Sequence, residues 1–234
     1  MTINDISWIF LILFASFVFI SLMEYFFPLR NFDKKTFKKN KIINIAFFFF
    51  ITLELALFEK LNVFDWLPKQ RAFSFNLWIV DLIFYILLLD LLSYCWHRIN
   101  HRISFFWRWH SLHHKIESLD LLAAYRFHPI EVFFGHHLRM LVLYFLGADL
   151  FIVQVFVVLY SFFNFLEHSN WAIPKFLEEK ILFFFVTPEK HHTHHLRQKK
   201  YQNSNFGTLF IIWDWLFGTY LTPPARQQND IGLK

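Results

Sequence analysis

Cysteine is almost missing from this sequence, with one residue in 234. That excludes a disulfide framework and any thiolate cluster or iron–sulfur centre built from this chain alone. Glycine and proline are scarce too, at five and seven, which excludes collagen-like, low-complexity and disordered designs, since those need the opposite balance. Charged residues make up only 18% of the chain, below the ~25% of ordinary globular proteins. No dinucleotide-binding Gly motif, no HExxH and no CxxCH occurs.

What fills the chain instead is apolar and aromatic. Hydrophobic residues reach 56% and aromatic ones 22%, including 35 Phe and nine Trp. One water-soluble core cannot hide that much apolar surface, so the composition indicates a membrane protein of a single domain. The formal charge of +5 suits an anionic membrane surface better than nucleic acid, and no nucleic-acid partner is expected.

Residues 8–28 form an apolar run whose one ionised residue is Glu24. At ~1.5 Å per residue such a run crosses a ~30 Å hydrocarbon layer as a helix. Asp5 before it and the bulky Tyr25, Phe26 and Phe27 at its end do not fit a cleaved signal peptide, so the segment is expected to stay. Arg30, Lys34, Lys35, Lys38, Lys39 and Lys41 follow as a basic cluster in a short loop, which the positive-inside rule assigns to the cytoplasm. Residues 42–58, containing Glu54, return outward; residues 76–94, with Asp81 near their start, come back; residues 68–74 are the polar break between them. None of the 13 His lies before His97. The chain therefore divides into a membrane anchor, 1–96, and a histidine-rich region, 97–221, within one domain.

Residues 138–166 are too long for one untilted span, at roughly 43 Å of helix. Gly147-Ala148-Asp149 interrupts them. If histidines on both sides are to meet, the chain crosses an even number of times, so a helical hairpin is expected near 147–149; a single tilted span is the alternative. Residues 181–186 and 209–221 are apolar but too short to span, and suit the interface or a core cover. The expected architecture is all-α and integral to the membrane, with three or four crossing elements and a cytoplasmic helical cap.

The histidines cluster as His97-x3-His101, His110-x2-His113-His114 and His191-x2-His194-His195. On a helix, i, i+3 and i+4 share a face, so each cluster directs imidazoles together at metal-ligand spacing. By chance, one HxxHH is expected in roughly 0.04 of chains with this histidine content. Imidazole suits iron, zinc, copper or nickel rather than magnesium or calcium. Eight such ligands exceed the needs of one ion and imply a dinuclear centre.

These motifs resemble those of the membrane-bound fatty acid hydroxylase, sterol desaturase and alkylglycerol monooxygenase superfamily, whose signature is HxxxH, HxxHH and a late HxxHH. Arg126-Phe127-His128-Pro129-Ile130-Glu131 is similar to its RxHPxE element, Glu167-His168-Ser169-Asn170 to its HSN segment, and Asn205-Phe206-Gly207 and Trp213-Asp214-Trp215-Leu216-Phe217-Gly218-Thr219 to its closing elements. The resemblance covers residues 90–221. His192 stands where Arg is often seen, and Asn164 where some relatives have His or Gln. The resemblance implies two iron ions that activate O2, a lipid C–H bond as the point of attack through hydroxylation or desaturation, and an external electron donor such as a cytochrome, a ferredoxin or a reductase. Zinc lacks the redox change this needs.

The candidate metal ligands are His97, His101, His110, His113, His114, His191, His194 and His195, with His168 as a ninth because Asn164-x3-His168 repeats the i, i+4 spacing. His128 is a tenth candidate, with a supporting donor or a turn residue ahead of Pro129 as alternatives. Asn164 is a candidate to hold a metal-bound water, against plain helix packing. Asp90, seven residues before His97, is a candidate carboxylate behind a ligand. Glu131 and Asp214 are weaker candidates for that role, and His136, His137 and His192 read as structural or interfacial. Other classes remain open at this stage: a membrane zinc hydrolase, which would want an HExxH-like base, and a metal transporter or sensor, which would want polar ligands within its spans. A bacterial inner membrane is expected, with the metal site facing the cytoplasm; an endoplasmic-reticulum protein of the same topology is the alternative.

Overall fold

A computed structural model describes residues 3–60, 74–181, 183–222 and 230–233. Its helices are α1 (Ile3–Phe26), α2 (Lys34–Lys60), α3 (Trp78–Arg102), α4 (Ser104–His114), α5 (Pro129–Leu146), α6 (Leu150–His168), α7 (Lys175–Ile181), α8 (Pro188–His194), α9 (Lys199–Gln202) and α10 (Ile212–Leu216), with a 3-10 turn at Leu121–Tyr125. Among the described residues there is no strand beyond isolated bridges. Four helices, α1, α2, α3 and α6, are long and apolar enough to cross a bilayer. The chain is an all-α membrane protein.

Element boundaries follow local chemistry. The lysines from Lys34 to Lys41 lie on the first two turns of α2 rather than in a loop. Lysine is a good helix former, and Asp33 supplies a cap by accepting from the Thr36 N–H at 2.8 Å. The apolar stretch around 138–166 is a helix pair, but α5 starts at Pro129, where proline at the first helical position is favoured. The turn between the pair uses Gly147 in the left-handed region (φ 65°), with the Ala148 N–H returning to Leu143 O at 3.0 Å. Asp149 then caps α6 by accepting from Phe151 N at 2.9 Å. The expected polar break falls on 68–73, outside the described residues, and Ser74, which follows, donates to Asp81.

Packing converges the helix ends on one side. Phe17 meets Phe165 while Glu24 accepts from the Asn170 N–H, so α1 and α6 run in the same direction. Tyr85 of α3 donates to Leu146 O at the α5–α6 turn, whereas the far end of α3 carries His97 and His101. The C-termini of α1, α3 and α6 thus lie together, and α4, α8, α9 and α10 cap them. Ile20, Phe163, Phe165, Leu121 and Leu122 form the apolar core beneath the cap. Phe10, Leu11 and Phe14 are each 68% exposed. An apolar surface of that extent on α1 belongs against lipid. Phe183, Phe184 and Leu216 in the two short apolar stretches are also exposed.

Candidate metal centre

Nine histidines meet at the end of this bundle in two groups. His97, His101, His110, His114 and His194 form one, and His113, His168, His191 and His195 the other; within each, one nitrogen per ring lies within 4.8 Å of the rest. Each HxxHH motif is divided between the groups. On a helix, neighbours diverge by ~100° while i and i+4 nearly superpose. His110 and His114 therefore face one point and His113 the other; His191 and His195 face the second and His194 the first. The two points adjoin, since His114 and His195 stack with ring centroids 4.7 Å apart.

The hydrogen bonds behind the rings set the tautomers. The His97 Nδ1–H donates to Phe206 O at 3.0 Å, that of His194 to Ser204 O at 2.7 Å and that of His168 to Asn164 O at 2.8 Å. A carbonyl only accepts, so Nδ1 carries the hydrogen and Nε2 keeps a bare lone pair. His110 Nδ1 likewise faces Glu131 Oε1 at 2.7 Å. The Nε2 atoms of His97, His110 and His194 are buried with no hydrogen-bond partner. In the four-histidine group, His168 Nε2 lies 3.1 Å from His113 Nε2 and 3.0 Å from His191 Nε2, and His191 Nε2 lies 3.2 Å from His195 Nε2. Adjacent ligands on an ion bonded at ~2.1 Å stand ~3 Å apart. These separations match the spacing of ligands around one ion.

Protonation agrees with that geometry. Burial, reinforced by neighbouring imidazoles, holds His113, His114, His191 and His195 well below the ordinary histidine value, and burial pushes His194 down to about 3. All five are neutral near pH 7, the state in which imidazole ligates.

Carboxylates and the loop after α9 brace the rings. Glu131 also accepts from Asn100, and Glu167 lies buried, 3.6 Å from His168 Nδ1 and 3.5 Å from His191 Nδ1. Phe127 stacks on His113 at 4.2 Å. Asp214 accepts from the N–H groups of Phe206 and Gly207 and from the Thr219 hydroxyl, holding the loop whose carbonyls orient His97 and His194. Gly207 admits this approach: a Cβ there would stand 2.7 Å from Phe210 O. On the far side, residues 230–233 bind both groups, with Gly232 N–H donating to His195 O and Leu233 N–H to His114 O.

Two expected site residues, Asp90 and His128, lie outside the two groups, and Asn164 meets them through its backbone. Asp90 touches no imidazole; its carboxylate accepts from Leu209 N, Phe210 N and Trp213 Nε1, because the 209–213 segment crosses α3 at that height. His128 stands apart from both groups, capping α5 by accepting from Ile130 N and lying 4.2 Å from the Trp109 ring. The Asn164 side chain donates to Ala124 O, and its backbone carbonyl receives His168. In the sequence Glu167 figures only within the segment that includes His168 and Arg30 only within the basic cluster, neither with a role at the centre; Arg30 Nε donates to His192 Nδ1 at 3.1 Å.

Residues 82–219, more than half of the chain, match the fatty acid hydroxylase family. The ornithine lipid hydroxylase of Rhizobium tropici is 34% identical over 60% of this chain and 41% of its own length. The alkylglycerol monooxygenase of Xenopus tropicalis is 29% identical over 60% of this chain and 30% of its own length, and human cholesterol 25-hydroxylase 27% over 62% and 53%. The chain thus spans about half or less of these relatives. No solved structure matches it.

Proposed function

The chain belongs to the fatty acid hydroxylase family, and we propose on that premise that it is an O2-dependent membrane oxidoreductase with two iron ions that hydroxylates or desaturates a lipid C–H bond. The observation that carries this reading is the pair of adjoining imidazole groups, five and four rings, with unpartnered buried Nε2 atoms of His97, His110 and His194 in the first and Nε2 atoms 3.0–3.2 Å apart in the second. Two redox-active ions held there would supply the electron changes that an unactivated C–H bond demands, chemistry closed to zinc. Neutral imidazoles suit iron through a redox cycle without the charge of a carboxylate cage.

In this reading His97, His101, His110, His114 and His194 hold one ion, and His113, His168, His191 and His195 the other. Glu131 and the carbonyls of Ser204, Phe206 and Asn164 keep Nδ1–H donors pinned, so that Nε2 faces the metals. Asp90 and Asp214 act one step further out, by holding the loop that bears two of those carbonyls. The aromatic wall of Phe127 and Phe206 keeps water from the rings. The cap at the ends of α1, α3 and α6 sets the site at bilayer level, where a lipid reaches it from the membrane. Residues 1–96 act as anchor and 97–221 as the catalytic region of one domain, although the boundary falls inside α3, so anchor and ligands share one rigid helix. The lysines that open α2 favour a cytoplasmic site in a bacterial inner membrane. Electrons for the two iron ions come from a cytochrome, ferredoxin or reductase, since the sequence carries no dinucleotide-binding Gly motif, no CxxCH and only one Cys to hold a second redox group.

Elemental analysis and Mössbauer spectroscopy of the detergent-purified chain test this. About two iron atoms per chain, falling in His113→Ala, is the expected result for a dinuclear site. Well-folded protein that takes up no metal from iron-replete cells would overturn it.

A further inference from the structure

Behind the metal centre, where α1 ends and α2 begins, lies a cleft of about 470 Å3. All of its lining except Asn170 comes from the stretch before residue 82, outside the part of the chain that matches the family. Arg30, Lys34 and Lys41 line it together with the apolar Leu22, Tyr25 and Phe37 and the carboxylate of Glu24, and Lys41 Nζ lies 5.6 Å from the Phe37 ring centroid. Its floor is fixed in advance. The Arg30 N–H donates to Asn170 Oδ1 and Asn170 Nδ2 donates back to Arg30 O, both at 2.9 Å. Arg30 is buried, with Nε on His192, while Lys34 and Lys41 are exposed. A preformed cleft of this kind loses little freedom when a ligand enters.

The charges are unbalanced at the mouth. Lys34, Lys35, Lys38, Lys39 and Lys41 have no carboxylate within ion-pair distance among the described residues. The nearby acids are engaged: Glu24 accepts from Leu121 N and Asn170 N, Asp33 caps α2, Asp120 accepts from Asn44 and Ala123, and Glu189 faces Arg30. Glu24 and Asp120 also attract Lys41, which leaves Lys34, Lys35, Lys38 and Lys39 as the surplus. Depth matters as well. The cleft stands at the end of a membrane-crossing helix, beside an interfacial Tyr and an apolar flank, and a run of lysines at such an end attracts anionic lipid.

We propose that this cleft binds the phosphate of an anionic membrane lipid, whose acyl chains lie along the Leu22 and Tyr25 face of α1. A zwitterionic lipid lacks the net charge that the unmatched lysines demand, and a free phosphate leaves the apolar flank uncovered. Binding here needs no turnover, so it is tested apart from the catalytic reading.

The full chain, purified in detergent and delipidated, is titrated with short-chain phosphatidylglycerol, with short-chain phosphatidylcholine and with inorganic phosphate, and followed by native mass spectrometry and thermal unfolding. Phosphatidylglycerol is expected to bind at one per chain and raise Tm, with the other two inert. The Lys34→Gln/Lys41→Gln variant is expected to bind it roughly 30-fold more weakly, while Lys199→Gln/Lys200→Gln, which alters exposed lysines elsewhere, keeps wild-type affinity. Both pairs are exposed, and an unchanged Tm without lipid confirms that the fold is intact. Equal binding of phosphatidylcholine, equal protection by inorganic phosphate, or wild-type affinity in the first variant would each overturn the proposal.

Discussion

Five imidazoles, His97 among them, gather at one point and four, with His191, at the other, and the supports behind them differ. The five-histidine group leans on a loop: Ser204 and Phe206 carbonyls orient His194 and His97, and the loop keeps its shape through the Asp214 carboxylate. The four-histidine group leans on α6, which contributes His168, the Asn164 carbonyl and the buried Glu167. A loop held by side-chain carboxylates, Asp214 on residues 206–207 and Asp90 on residues 209–210, yields when one of them is altered, whereas a helix distributes its support over many backbone bonds. The two halves of the centre should therefore be separable by mutation.

Acid is expected to have the largest effect, and to act on both halves together. An imidazole in the unfolded chain takes a proton below about 6.5, whereas His194 in place does so only near 3 and His113, His114, His191 and His195 are held well below the ordinary value. Across that window the unfolded state binds protons that the folded state refuses. Stability is complete above about 6.5 and falls as pH drops. Metal-free protein should unfold by about pH 4 when followed by circular dichroism, and a flat profile from pH 7 to 4 would contradict the neutral, buried state of these rings.

Asp214→Asn should separate the halves. It keeps one oxygen for the Phe206 N–H and the Thr219 hydroxyl but turns an amide N–H2 toward the Gly207 N–H, and an unsatisfied buried donor costs ~1–3 kcal/mol. The expected outcome is a lower denaturation midpoint and about one metal ion retained per chain, in the four-histidine group. Gly232→Ala should blur the distinction again. Gly232 has φ 86°, and a Cβ there would stand 2.6 Å from Ile116 O. The strain is about 2 kcal/mol, and because residues 232 and 233 hold His195 and His114, both ions should weaken in parallel in a chelator titration. Smallest and most local is Glu131→Gln. The amide can still accept from His110 but carries no charge, so metal affinity should drop about tenfold in the five-histidine group alone, leaving Tm nearly unchanged.

Much of the fold was legible because membrane helices announce themselves by run length. Runs 8–28, 42–58 and 76–94 correspond to α1, α2 and α3, and the Gly147 interruption marks the turn between α5 and α6. Boundaries were less legible. The lysines after Asp33 read as a loop because charge there suggested water, while helix propensity and a cap decided otherwise. Of ten candidate ligands, the structure brings together all but His128, which carries the same residue type but is spent on a helix cap. Asp90 shows the same limit: helical spacing places it on the His97 side of α3, yet its partners lie some 120 residues along the chain.

Sequence alone determined the membrane class, the helical character and the spacing that brings i, i+3 and i+4 imidazoles onto neighbouring faces, because those depend on composition and on the 3.6-residue turn. Only the tertiary structure decided that each HxxHH is shared between two points, that Glu131 and Glu167 stand behind the rings while Asp90 and Asp214 hold the loop, and that Arg30 from the α1–α2 junction reaches His192. Those are contacts between distant segments, set by how the helices converge, and periodicity carries no information about what stands opposite a given face.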